Sequence, residues 1–109
     1  MPTVQELIVT AIEKRLIVTA QYQGFERVMC PHVIGYKVTK KHGRRVNALF
    51  FQFAGGSSSG LPPEGEWRCV VVDELLNVKV GPGQWHTGPS HTRPQTCVDV
   101  HSIIAEVPY

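Results

Sequence analysis

Charge is scarce in this sequence, and what there is nearly cancels. Asp, Glu, Lys and Arg make up 18% of the 109 residues and leave a net of +2. So small an excess gives no ground for nucleic-acid binding from the total alone. There is no run of twenty apolar residues, and the uncharged stretch from Val46 to Pro63 is broken by Gly, Ser and Pro, so no membrane span is expected. Cysteine is sparse: Cys30, Cys69 and Cys97 are an odd count, widely spaced, and fit free thiols in a reducing cytoplasm. Residues 1–15 carry Glu6, Glu13, Lys14 and Arg15 and read as an amphipathic helix, so no signal peptide is visible and a cytoplasmic location is expected. Catalytic signatures are missing too. No G-x-S-x-G elbow occurs, and the glycine-rich loop at 55–60 has neither the spacing nor the lysine of a phosphate-binding P-loop.

What remains is a pattern of short strands behind one helix. Thr3-x-x-Glu6 is a capping-box signature, and Val4, Leu7, Ile8, Ala11 and Ile12 recur at helical spacing, which predicts a helix over about 3–15. From Leu16 the chain turns β-branched. Extended runs are expected at 16–22, 27–38, 44–54 and 67–72, followed by a helical turn at 73–76 and a brief strand at 77–80. Gln23-Gly24 and Lys40-Lys41-His42-Gly43 are the turn signals between them. Pro31 interrupts the second run and suits an edge or a bulge. Leu49, Phe51 and Phe53 fall on one face of the third run, and Val46, Ala48 and Phe50 on the other. A strand apolar on both faces is central or covered. Residues 81–97 are rich in Gly and Pro, and 98–107 turn apolar again as a last strand or a short docked helix. One domain covers 1–109: the helix, strands over about 16–80, and a loop-rich C-terminal extension at 81–109. Strands this short and close, with little room for crossovers, argue a small, strongly bent antiparallel sheet or barrel.

The chemistry centres on the loop Gly55-Gly56-Ser57-Ser58-Ser59-Gly60 and on Trp67-Arg68, which follows it. Glycines let backbone N–H groups converge on a guest, serines add hydroxyls, and an arginine beside an aromatic is a frequent binding pair. The competing reading of the loop is a flexible surface connection. Cys30-x-His32 with Cys97-x-x-x-His101 holds Cys₂His₂ ligand types, but at spacings unlike a zinc finger or ribbon. Ser57, Ser58 or Ser59 with His32 and Asp73 would satisfy a triad by type only. No catalytic residue, metal or cofactor is therefore expected. Lys37, Lys40, Lys41, Arg44 and Arg45 crowd one hairpin with no acid among residues 37–45. They are either a phosphate-backbone patch or a solvated tip that guards a sheet edge.

Several of these residues recur in a known order. Ala11-Ile12-x-Lys14-Arg15, Tyr22-x-Gly24, Arg27-Val28, Pro31-His32-Val33-x-Gly35, the loop from Gln52 to Gly60, and Trp67-Arg68 together resemble the WYL-domain family, and more narrowly small stand-alone bacterial WYL-like proteins. The likeness spans most of 7–80. It implies a small Sm-like/SH3-like antiparallel β-barrel with one N-terminal α-helix, acting as a ligand-sensing or nucleic-acid-binding regulatory module. The strand that would carry the family's Trp-Tyr-Leu reads Ala48-Leu49-Phe50-Phe51, and one clear helix leaves no helix-turn-helix, so a sensor or accessory role is expected rather than operator recognition. The expected function is a non-catalytic module for a small polar or anionic ligand, a nucleotide among the candidates. Arg27, His32, Gln52, Ser57, Ser58, Ser59 and Arg68 would make polar contacts, and Tyr22 and Trp67 would give stacking surface. The alternatives are single-stranded nucleic acid on the 37–45 hairpin, and a homo-oligomerisation or protein-interaction barrel without ligand.

Overall fold

In a computed structural model, residues 2–57, 60–88 and 96–107 are described. Helix α1 (Val4–Lys14) begins where the capping box requires. Thr3 Oγ1 accepts from the Glu6 N–H at 3.1 Å, and the Thr3 N–H donates to Glu6 Oε1 at 3.1 Å. The helix ends on Arg15, which adopts the left-handed conformation (φ 54°) and donates its N–H to the Ala11 carbonyl. Ile8, Ala11 and Ile12 form its buried stripe.

Among the described residues six antiparallel strands follow: β1 (Ile17–Tyr22), β2 (Phe25–Thr39), β3 (Gly43–Gly55), β4 (Glu66–Val71), β5 (Leu76–Gly81) and β6 (Ile103–Glu106). A single 3₁₀ turn, Val72–Glu74, links β4 to β5. Gln23 and Gly24 both have positive φ (52° and 82°), the geometry of a two-residue hairpin turn that matches strand twist. The order across the sheet is β4-β3-β2-β1-β5, with β6 also on β2. β2 is the spine. It pairs with β3 along most of its length, while its opposite edge takes β1 over its first half and β6 at Val33, Ile34 and Gly35. Pro31 lies between those two segments, where the β2–β3 register shifts between Pro31 and Val33. A residue without an N–H is tolerated at such a break in the ladder. The proline therefore marks a bulge within the central strand and not an edge.

Both faces of β3 are covered, as its two-sided apolar pattern requires. One face carries Ala48 and Phe50 into the main core with Ile8, Ala11 and Ile12 of α1, Val18, Met29, Ile34 and Val70. The other carries Leu49 into a smaller cluster with Val33, Cys97 and Val98. Fully buried side chains such as Phe50, Ile8 and Met29 each contribute about 1.5–3 kcal/mol by leaving water. Of the last apolar segment only Ile103–Glu106 is a strand; residues 98–102 are bends and turn, so the expectation of a last strand over 98–107 holds for its second half.

The sheet is open: among the described residues its outermost strands, β4 and β5, do not pair with each other. Near this gap the Val71 N–H donates to the Tyr22 hydroxyl at 3.2 Å, so a side chain from β1 meets β4 where no strand does. The cysteine expectation needs correction. Cys69 and Cys97 form a disulfide, with Cα atoms 5.3 Å apart, and only Cys30 is free. Two cysteines 28 residues apart in sequence meet because β4 and the segment leading to β6 flank the same small cluster.

Candidate functional site

A cleft of about 340 Å³ opens between the β1–β2 hairpin and β4. Tyr22, Gln23 and Arg27 line it from the hairpin, Trp67, Arg68 and Cys69 from β4, and Ser57 from the loop between β3 and β4. Five residues singled out in the sequence thus share one cavity: Tyr22, Arg27, Ser57, Trp67 and Arg68.

Arg27 is the unusual member, only 3% exposed. Its Nε donates to the Tyr22 carbonyl at 3.2 Å and its Nη1 to Gln52 Oε1 at 3.3 Å, and the guanidinium lies 5.1 Å from the centre of the Tyr22 ring. Both hydrogen-bond acceptors are neutral, and no carboxylate among the described residues pairs with it. Burial, then the neighbouring charge of Arg68, pull its pKa below the ordinary value, with Tyr22 opposing. A guanidinium nonetheless stays protonated at neutral pH. The cleft therefore holds a nearly buried positive charge that no described carboxylate compensates, and such a charge is costly without a counter-ion.

Arg68 is placed differently. Its Nη2 bonds Ser57 Oγ and the Gly60 carbonyl, both at 2.9 Å, and meets Glu66 Oε2 at 3.0 Å. It clamps the loop as well as facing the cleft. Two of the loop's N–H groups are spent within the protein and so cannot serve a cradle: the Gly56 N–H donates to the Glu26 carbonyl and the Gly60 N–H to the Ser57 carbonyl. Gly55 starts the loop at φ 90°, where an added Cβ would collide with the Glu26 carbonyl, so this close crossing needs glycine. Ser58 and Ser59 lie outside the described residues.

Gln52 and His32 sit elsewhere than the cleft lining. Gln52 is fully buried. Its Oε1 holds Arg27, and its Nε2 donates to the Ala54 and Gly56 carbonyls at 3.1 and 3.0 Å, so it braces the arginine and the start of the loop. His32 is also fully buried, with Nδ1 at 2.8 Å from the Cys30 carbonyl and Nε2 at 3.0 Å from Thr87 Oγ1. Its ring lies between Trp67 and Trp85, at 4.8 and 5.0 Å. It anchors the glycine- and proline-rich segment, helped by the His86 N–H, which donates to Cys30 Sγ at 3.2 Å. Burial raises the Cys30 thiol pKa, partly offset by that bond. Cys97, spent in the disulfide, is not available as the thiolate of the zinc set weighed from spacing. The sequence reading missed Gln23 and Cys69 as cleft residues. Their adjacency to Tyr22 and Arg68 was the only signal for them.

In the basic hairpin, Lys37 pairs with Asp99 at 3.5 Å, Arg45 with Glu74 at 3.0 Å, and Arg44 lies over the Tyr36 ring at 3.8 Å. Lys40 and Lys41 stand exposed at the turn. No described helix is long and apolar enough to cross a membrane. Compared with protein-family models, curated proteins and solved structures, the chain matches none.

Proposed function

We infer that the protein is a non-catalytic regulatory or sensor module that binds a small polar or anionic ligand, a nucleotide among the candidates, in the cleft between the β1–β2 hairpin and β4. One observation carries this reading: Arg27, 3% exposed, lines the cleft and pairs with no carboxylate among the described residues. An anion there would complete an ion pair whose desolvation the fold has already met on one side. The WYL-like assignment, with an Sm-like/SH3-like barrel as its architecture, belongs to the same proposal and rests on the ordered motifs from Ala11 to Arg68. A cytoplasmic location is part of the same proposal, and the Cys69–Cys97 disulfide weighs against it, since disulfides are rare in a reducing cytosol.

Thermal unfolding with inorganic phosphate and with nucleoside mono- and triphosphates tests the reading. Ligand that binds only the folded state raises the midpoint in proportion to the logarithm of its concentration. Wild type should respond and Arg27→Met should not, since a hydrogen-bonded charge contact is worth about 1.5–3 kcal/mol, roughly 10- to 150-fold in affinity. No response in wild type, or an equal one in Arg27→Met, overturns it.

A second reading, single-stranded nucleic acid on the hairpin, is favoured by Arg44 over Tyr36 beside the exposed Lys40 and Lys41. It requires an oligonucleotide affinity that falls steeply with salt and disappears when Lys40, Lys41, Arg44 and Arg45 are neutralised.

A further inference from the structure

The direction of the β4 backbone adds a partner class to the cleft. The Val71 N–H points away from β3, because it reaches the Tyr22 hydroxyl. Hydrogen-bonding direction alternates residue by residue along an antiparallel strand. Cys69, two residues earlier, therefore also turns its N–H and C=O away from β3, and Cys69 lines the cleft. No other described backbone takes up these groups. An unfilled strand edge and the buried Arg27 guanidinium thus share one small cavity.

We propose that an extended peptide ending in a free carboxylate adds to the β4 edge, pairing with the Cys69 backbone and placing its terminal carboxylate at Arg27. This rests on the anion-binding reading. Strand addition supplies main-chain hydrogen bonds, and a terminal carboxylate supplies the counter-charge. Tyr22 already occupies the Val71 N–H, so a guest strand cannot run the full length of β4 and has to stop inside the cleft. At about 340 Å³ the space matches the small end of ligand pockets, which suits a chain terminus. Two neighbouring guanidiniums select the carboxylate end and repel the amino end.

Four probes test this by calorimetry and amide NMR: acetyl-Thr-Val-Thr-Val as the free acid, the same peptide amidated, the same peptide with its last amide nitrogen methylated, and inorganic phosphate, each to about 1 mM, the weak end of specific affinities. The free acid should bind at least about tenfold more tightly than either modified peptide, a difference of about 1.4 kcal/mol. It should also shift the Cys69 amide and slow its exchange. Equal binding of the amidated or methylated peptide, or an unperturbed Cys69 amide, overturns the proposal. Phosphate binding without peptide binding overturns strand addition and leaves the small-anion reading standing, whereas no binding of any probe overturns both. Light scattering that finds a dimer before peptide is added assigns the edge to a second copy and also overturns it.

Discussion

The cleft and the basic hairpin are the two places where positive charge gathers, and they treat it in opposite ways. The hairpin has five cations, three of them already engaged: Lys37 by Asp99, Arg45 by Glu74, and Arg44 by the Tyr36 ring. The cleft has two, and Arg27 is buried against neutral acceptors. Counting charges favours the hairpin even when paired ones are left out, but only in the cleft is a cation without a carboxylate among the described residues also buried. Anchoring differs in the same sense. The β4 wall of the cleft is tied to the C-terminal segment by a disulfide, whereas the hairpin's long-range ties include two ion pairs at the surface.

Breaking the covalent tie should have the largest effect. Closing a loop over a sequence separation of 28 is worth about 3–4 kcal/mol, so the double variant Cys69→Ser/Cys97→Ser, or reduction of the native protein, should lower the unfolding free energy by that much in denaturant titration. An unchanged midpoint would show that β4 is held by packing alone. Next comes Gln52→Met, which keeps volume but strips Arg27 Nη1 and the Ala54 and Gly56 carbonyls of a buried partner. It should cost about 2–3 kcal/mol and weaken anion binding by letting Arg27 move. A variant that loses stability but keeps full affinity would separate the brace from the site. Smallest is Glu74→Gln or Asp99→Asn in the hairpin contacts. Each should cost no more than about 0.5–1 kcal/mol and lose even that at high salt, because exposed pairs are screened. A larger, salt-insensitive loss would erase the contrast between the two regions.

Much of the fold was legible because its signals are local. The Thr3/Glu6 box, the Gln23-Gly24 turn and the two-sided apolar pattern of β3 each follow from spacing, and the elements begin and end close to where those residues place them. Long-range pairing was not legible. That β6 returns to β2 beside β1, and that the sheet stays open at β4, depend on contacts that no short window of sequence holds. The disulfide was hidden for the same reason, since an odd cysteine count reads as free thiols until two of the three are brought together. At the site, residue type located the cleft but not the roles. Gln52 and His32 have polar side chains that suit a ligand, yet both are spent on the protein's own backbone and side chains. What set Arg27 apart from the nine-residue candidate set was burial without an acid, which is a property of the folded state.

The position of β6 sets an order in time. Its partners on β2 are Val33, Ile34 and Gly35, paired with Glu106, Ala105 and Ile103, some seventy residues later. While the chain emerges N-terminus first, α1 and β1 to β3 have near neighbours in sequence and can assemble early. The half of β2 after Pro31 cannot. One side of the spine strand stays open, beside buried Val33 and Ile34, until Ile103–Glu106 has left the ribosome. The nascent protein therefore passes through a stage in which its central strand is also an exposed edge, and the late arrival of β6 seals it.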